Sequence, residues 1–198
     1  MKFCSACGSP VEFRIPDDGD HLPRHVCTSC HTIHYVNPKI IVGVVPEAPD
    51  GRILMCRRNI EPRKGKWTFP AGFMELGETS AQGAAREGRE ESQALITVGG
   101  LLTVITVTYV SQVYMIHRGR IAADTHFGPT SESSEVALMR EEDIPWNEIA
   151  FPTIYQSLRY FFADRAAGRE GFHELNLTQR PSREQQAEIT SWLAAAQG

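Results

Sequence analysis

No apolar run in the 198-residue sequence approaches the ~18 residues that a membrane-spanning helix requires. The opening residues, MKFCSACGSP, hold no apolar signal segment. These two absences predict a protein that crosses no membrane and works in the cytoplasm. A basic excess is also missing. The formal charge is −4, which argues against a nucleic-acid surface. Internal repeats and low-complexity segments are absent. Cysteine is sparse, at five residues. Without a leader, so few cysteines point to a reducing compartment and a metal, and exclude a disulfide scaffold. What is present, 41% apolar and 22% charged residues, is the composition of a globular protein. The length suits one ordinary core plus an appendage.

Four of the cysteines are spaced for a metal. Cys4-x2-Cys7 and Cys27-x2-Cys30 are two tight knuckles separated by 19 residues. That pattern brings four thiolates into a tetrahedron and predicts a Zn²⁺ ribbon over residues 1–34. The ribbon carries Lys2, Arg14 and Arg24 against Glu12, Asp17, Asp18 and Asp20. It is not a basic patch, so a structural role is expected. With four thiolates available, His21, His25, His31 and His34 are expected to be surface or packing residues.

A second stretch, GFMELGETSAQGAAREGREESQA from Gly72 to Ala94, concentrates acid on a helix. Thr79 followed by Gln82 is a capping-box signature, so the helix is expected over 79–94. Glu87 lies three residues from Glu90 and four from Glu91, which puts these carboxylates on one face. Like charges at that spacing repel, and Gly83 and Gly88 each cost about 1 kcal/mol relative to alanine. Clustered carboxylates need a cation between them, and their oxygens suit hard Mg²⁺ or Mn²⁺.

The remaining elements follow from periodicity. Ile40–Val45 reads as a buried strand and Arg52–Arg58 as its partner, joined by a turn at Asp50-Gly51. Alternation buries only one of Arg57 and Arg58, and Arg57 is the candidate for a substrate phosphate. Cys56 reads as an inert buried thiol and Trp67 as a core anchor. Gly99-Gly100 reads as a turn, Leu101–Val110 and Gln112–Ile116 as strands, and His117–Arg120 as a tight turn before a return strand. Thr125–Ser134 has the polarity of a substrate lid and leads into a strand at Glu135–Met139. A helix over 152–167 turns Ile154, Leu158, Phe161 and Phe162 toward the sheet, with Gly168 ending it. Residues 169–181 read as irregular. A last helix opens at Ser182-x-x-Gln185 and presents Ile189, Trp192 and Leu193 on one face, as a packing or homodimer element.

The acidic stretch closely resembles the Nudix box, G-x5-E-x7-R-E-U-x-E-E-x-G-U with U apolar. Gly72, Glu78, Arg86, Glu87, Glu90 and Glu91 match it, and Gly88 and Gln93 depart from it. The four-cysteine unit with HYVNPKIIVG, RRNIEP, WTFPAGFMELGET, SQVY and EIAFPTI is similar to a zinc-ribbon Nudix subgroup that includes the plant chloroplast FAD diphosphatase and its bacterial relatives. The resemblance implies an α/β fold. A Nudix α/β/α sandwich with a mixed sheet (35–168) follows the zinc ribbon (1–34) and precedes an extension (169–198). It implies hydrolysis of a nucleoside diphosphate linked to another moiety, FAD giving AMP and FMN, with ADP-ribose and NADH as rivals. The NADH-type marker SQPWPFPxS is missing, since Ser111-Gln112 is followed by Val113-Tyr114. A metabolite-sensing regulator is the reading of another class, but such proteins often lose the box carboxylates, and all are present here.

The resemblance further implies Mg²⁺ or Mn²⁺ ligands at Glu87, Glu90, Glu91 and the Ala71 carbonyl, with Glu78 completing the shell. Arg86 would hold a box carboxylate, Glu135 would act as base, and Trp67 and Gln112 would lie beside the substrate.

Overall fold

The computed structural model describes residues 1–179. The helix expected from Ser182 lies outside the described residues. The chain divides into two compact units, Met1–Pro38 and a second that begins at Lys39. Among the described residues no helix is long and apolar enough to cross a membrane.

The first unit is a three-stranded antiparallel sheet of β1 (Val11–Arg14), β2 (Arg24–Cys27) and β3 (Ile33–His34). Its cysteine loops are tight turns. The Cys4 amide donates to the Ser9 carbonyl at 2.8 Å, and the Cys27 amide donates to Thr32 at 3.0 Å.

The second unit is built on β4 (Lys39–Glu47), β5 (Ile53–Arg58), β6 (Trp67–Thr68), β7 (Ala71–Phe73), α1 (Ser80–Ser92), β8 (Ile96–Val107), β9 (Gln112–Ile121), β10 (Ser133–Met139), α2 (Pro152–Ala166) and β11 (His173–Leu177). The mixed sheet runs β10-β5-β4-β9-β8-β11. Parallel pairing joins β4 to β9 and β8 to β11, and the other neighbours are antiparallel. β7 pairs with β4 through Ile41–Gly43, which sets the loop before α1 against the central strand.

Alternation along the strands builds the two faces. Val42 and Val44 pack with Ala84 of α1. Val45, one residue out of phase, packs with Ile154, Leu158, Phe161 and Phe162 of α2. Ile53 and Met55 likewise lie with the α2 cluster, and Leu54 and Cys56 with the opposite one. The helices therefore cover opposite faces, as an α/β/α sandwich requires.

Three local expectations are corrected. Gly99-Gly100 is not a turn. It lies inside β8, where the register with β9 shifts between Val98 and Leu101. His117–Arg120 is not a turn either, because β9 runs unbroken to Ile121. Gly119 serves close packing there, since a Cβ would stand 2.4 Å from Val44 Cγ2 and 2.8 Å from Ile96 Cγ2. His117 is buried, with Nδ1 at 3.0 Å from the Gly99 carbonyl and Nε2 at 3.1 Å from Ser80 Oγ. Finally, 169–181 is not wholly irregular. β11 adds a parallel edge strand, with Leu175 opposite Ile105.

Candidate metal and diphosphate site

Thr79 caps α1 as the sequence predicts. Its side chain accepts from the Gln82 amide at 3.2 Å, and the Gln82 side chain accepts from the Thr79 amide at 2.8 Å. The cap fixes where the helix starts and so which way its acids point. Glu87 and Glu91 are buried under the β7 segment, at 8% and 5% exposure, while the Glu90 side chain reaches solvent. A Cβ on Gly72 would fall 2.4 Å from the Glu87 carboxylate. Only glycine leaves that carboxylate its place.

Arg86 gathers the acids. Its Nε and Nη2 donate to both oxygens of Glu78, at 3.1 and 2.8 Å. Nη1 donates to Glu87 at 2.8 Å and to Glu90 at 2.9 Å, and Nη2 also donates to the Phe73 carbonyl at 3.0 Å. These charge-assisted contacts hold the Glu78 carboxyl down to about 2, with help from the Glu75 amide. Glu91 is different. Its Oε2 accepts the Ala71 amide at 3.1 Å, but burial pushes its carboxyl up to about 8. Burial also raises Glu87. Two acids buried on one helix face carry charge only against the cost of burial, a cost that a bound cation would offset.

The donor set fits a hard divalent ion. The carboxylates are oxygen donors, and glycine at position 72 lets the β7 backbone pass close to the Glu87 carboxylate without displacing it. The ribbon cysteines fit Zn²⁺. Their four sulfurs lie within 4.8 Å of one another, with Cys4–Cys30 at 3.7 Å and Cys7–Cys27 at 3.4 Å. A zinc tetrahedron with ~2.3 Å bonds has sulfur–sulfur edges of about 3.8 Å. Amides of Ala6, Ser29 and Cys30 donate to Cys4 and Cys27 sulfurs at 3.3 to 3.4 Å, as knuckles do. His34 Nε2 lies 3.3 Å from Cys4 Sγ.

The other expected site residues fall into separate groups. Arg57, Trp67 and Glu135 cluster together. Arg57 Nη1 is 3.5 Å from Glu135, its Nε donates to the Gly65 carbonyl at 3.1 Å, and its guanidinium lies 6.0 Å over the Trp67 ring. Trp67 is itself in the core. Gln112 accepts the Tyr114 hydroxyl at 3.1 Å. Two residues that the sequence reading noticed but did not choose for the site, Glu132 and Arg58, act on the box electrostatically. Glu132 raises both Glu87 and Glu91, and Arg58 opposes the rise at Glu91. In the sequence Glu132 has no signal beyond its place at the end of a polar loop.

Comparison with known proteins bears on the family and the fold. Residues 2–36 match the family model described as Nudix N-terminal, and residues 37–164 match the NUDIX domain. A NUDIX hydrolase structure from Nitrosomonas europaea is 49% identical, with a TM-score of 0.86, and is covered over 90% of this chain and 100% of that one. An ADP-ribose pyrophosphatase from Streptococcus suis, 15% identical with a TM-score of 0.56 over 71% of this chain and 99% of that one, shares the fold. Among curated relatives, the NAD-capped RNA hydrolase NudC of Edwardsiella ictaluri is 38% identical over 94 residues. Its counterpart in Vibrio vulnificus is 31% identical over 101 residues. These matches take in 46% and 49% of this chain but only 33% and 34% of the relatives' length. The NUDIX match alone takes in more than half of the residues, and the chain belongs to the Nudix family.

Proposed function

We propose that the chain is a metal-dependent diphosphatase that cleaves FAD to AMP and FMN. The observation that carries the hydrolase reading is the complete set of box carboxylates, with Glu78, Glu87 and Glu90 gathered on Arg86 and Glu91 docked on the Ala71 amide. A sensor built on this fold would have no need to keep that set. FAD is favoured by the resemblance of the flanking segments and by Ser111-Gln112-Val113-Tyr114 standing where an NADH-type marker would begin. ADP-ribose and NADH share the same scissile bridge. NAD-capped RNA enters as a second reading because the bacterial relatives carry that activity in their names.

In this reading Glu87, Glu90, Glu91 and the Ala71 carbonyl supply hard oxygen donors. Bound Mg²⁺ or Mn²⁺ supplies charge neutralisation at the phosphate oxygens and a more acidic water. Arg86 keeps the carboxylates placed before any cation arrives, and Glu78 holds Arg86 by a two-point contact. Glu132, rather than Glu135, supplies the loop-side carboxylate, because Glu135 is engaged by Arg57. Arg58 of β5, whose charge opposes the rise at Glu91, is a positive charge near the carboxylates. Water attacks one phosphorus in line and gives its proton to the Glu132 carboxylate, while the bridging P–O bond breaks and its electron pair leaves on the second phosphate.

The test offers FAD, ADP-ribose, NADH and NAD-capped RNA to the purified chain with Mg²⁺ or Mn²⁺, and separates the products. The expected result is AMP and FMN from FAD, with roughly hundredfold loss in Glu90→Gln and in Glu91→Gln. Cleavage of another substrate in preference to FAD would move the assignment to it. Activity that survives both substitutions would remove these residues from the metal site.

A further inference from the structure

Gln93 stands where the Nudix pattern has glycine, directly after α1. Its backbone is left-handed, with φ 64° and ψ −3°, and its amide closes the helix on the Arg89 carbonyl at 2.8 Å. That conformation favours glycine, because a Cβ crowds the following carbonyl. A glutamine here therefore carries a strain that the pattern's own residue avoids, and its side chain has a use. Nε2 donates to the Pro129 carbonyl at 2.7 Å, and Oε1 lies 3.3 Å from His126 Nε2.

The contact does not stand alone. The Gly128 amide donates to the Ser92 carbonyl at 3.0 Å, and Thr130 Oγ1 donates to the Glu91 carbonyl at 3.4 Å. The last carbonyls of a helix have no partner within it, and the loop supplies one for each of these two. Thr130 Oγ1 in turn accepts the amides of Glu132 and Ser133 at 3.2 and 3.1 Å. The Glu132 carbonyl accepts the Asn59 amide at 2.7 Å. A chain of hydrogen bonds thus runs from the Glu91 carbonyl through Thr130 to the Glu132 amide, and Gln93 holds the carbonyl of Pro129, the residue next to Thr130.

We infer that Gln93 is a positioning residue that ties the 126–132 loop, and with it Glu132, to the end of the helix bearing Glu87, Glu90 and Glu91. The effect on turnover rests on the diphosphatase reading, but the tether itself does not.

The deciding experiment compares the full chain with Gln93→Gly and Gln93→Asn. Both substitutes accept the left-handed conformation, and neither spans the distance to Pro129. The expected result is an unfolding midpoint equal to or above that of the parent, with amide exchange across 126–132 about tenfold faster. On the substrate that the parent cleaves, kcat should fall about fivefold to tenfold with KM within about twofold. A residue that merely ends the helix would give higher stability with exchange and kcat unchanged, which would overturn the inference. Faster exchange with unchanged kcat would also overturn the positioning role. If the parent cleaves none of the offered substrates, the diphosphatase reading fails, and loop exchange alone then decides the tether.

Discussion

Asp164 is 1% exposed and faces two arginines and a histidine from three directions. Arg118 of β9 donates to it, Arg169 Nε reaches it at 3.1 Å, and His173 Nε2 lies 3.0 Å away. The Gly171 amide adds a bond at 2.9 Å. Burial alone would raise the carboxyl, but His173, Arg169 and the Gly171 amide win and hold it down to about 2. The sign is that of a depressed acid, whose contribution is complete above its unfolded value near 3.9 and is lost as pH falls toward 2. Asp164→Asn should cost about 3–5 kcal/mol, since it leaves Arg118 without its buried partner. It should also flatten the dependence of stability on pH between about 4 and 2. Denaturant titrations at pH 7, 4 and 3 measure both effects, and an unchanged slope in the variant would discount the assignment. At this scale the sequence is only partly legible. Glu132 and Glu135 are two acids at the end of the same loop, and what distinguishes their surroundings is a register written elsewhere. Pairing of β10 with β5 sets Glu135 opposite Arg57, and no local pattern reveals that.

At the scale of an element, α1 shows how a departure from a family pattern can be repaired by a neighbour. The box expects an apolar residue at position 88, where this chain has Gly88. A Cβ there would meet Ile96 Cδ1 at 2.4 Å, so the first residue of β8 occupies the space that the missing side chain would fill. Gly88→Val should therefore overpack and destabilise by about 1–3 kcal/mol. Ile96→Ala alone should cost about 2–5 kcal/mol by leaving a cavity. The double variant should recover part of the sum, with a coupling of at least about 0.5 kcal/mol in a denaturation cycle. Strict additivity would show that the two positions do not share the space. The same element was the most readable part of the chain, because its start is encoded locally in Thr79 and Gln82 and its acids follow the helical period. Glycines elsewhere misled. Gly99-Gly100 and Gly119 carry the composition of turns but serve a register shift and a close strand contact. β11 left only a five-residue alternation, with His173, Leu175 and Leu177 half-buried, too short to separate from a polar linker.

The whole molecule joins two units that are stabilised by different forces. The unit from Lys39 onward buries Val45, Ile53, Met55, Phe69, Leu102, Ile116, Ile154 and Leu158 in and around one core. In Met1–Pro38 the buried apolar residues are Cys4, Val26 and Cys27, and two of those three belong to the four-cysteine cluster. So small a core cannot offset the conformational entropy of ordering its chain. Zinc binding in small four-ligand units contributes about 10–16 kcal/mol near neutral pH, comparable with the entire stability of a typical domain. The chain should therefore carry close to one Zn²⁺ per molecule. A strong chelator should abolish amide protection across 1–38 while leaving residues from β4 onward protected, because their core is built of packed apolar side chains. Cys7→Ser should reproduce the effect without chelator, since removing one thiolate leaves the tetrahedron open. Hydrogen exchange read by segment, alongside zinc content, tests each part. Protection across 1–38 that survives complete loss of zinc would mean that the ribbon is held by its strands, and the metal would be incidental to its fold.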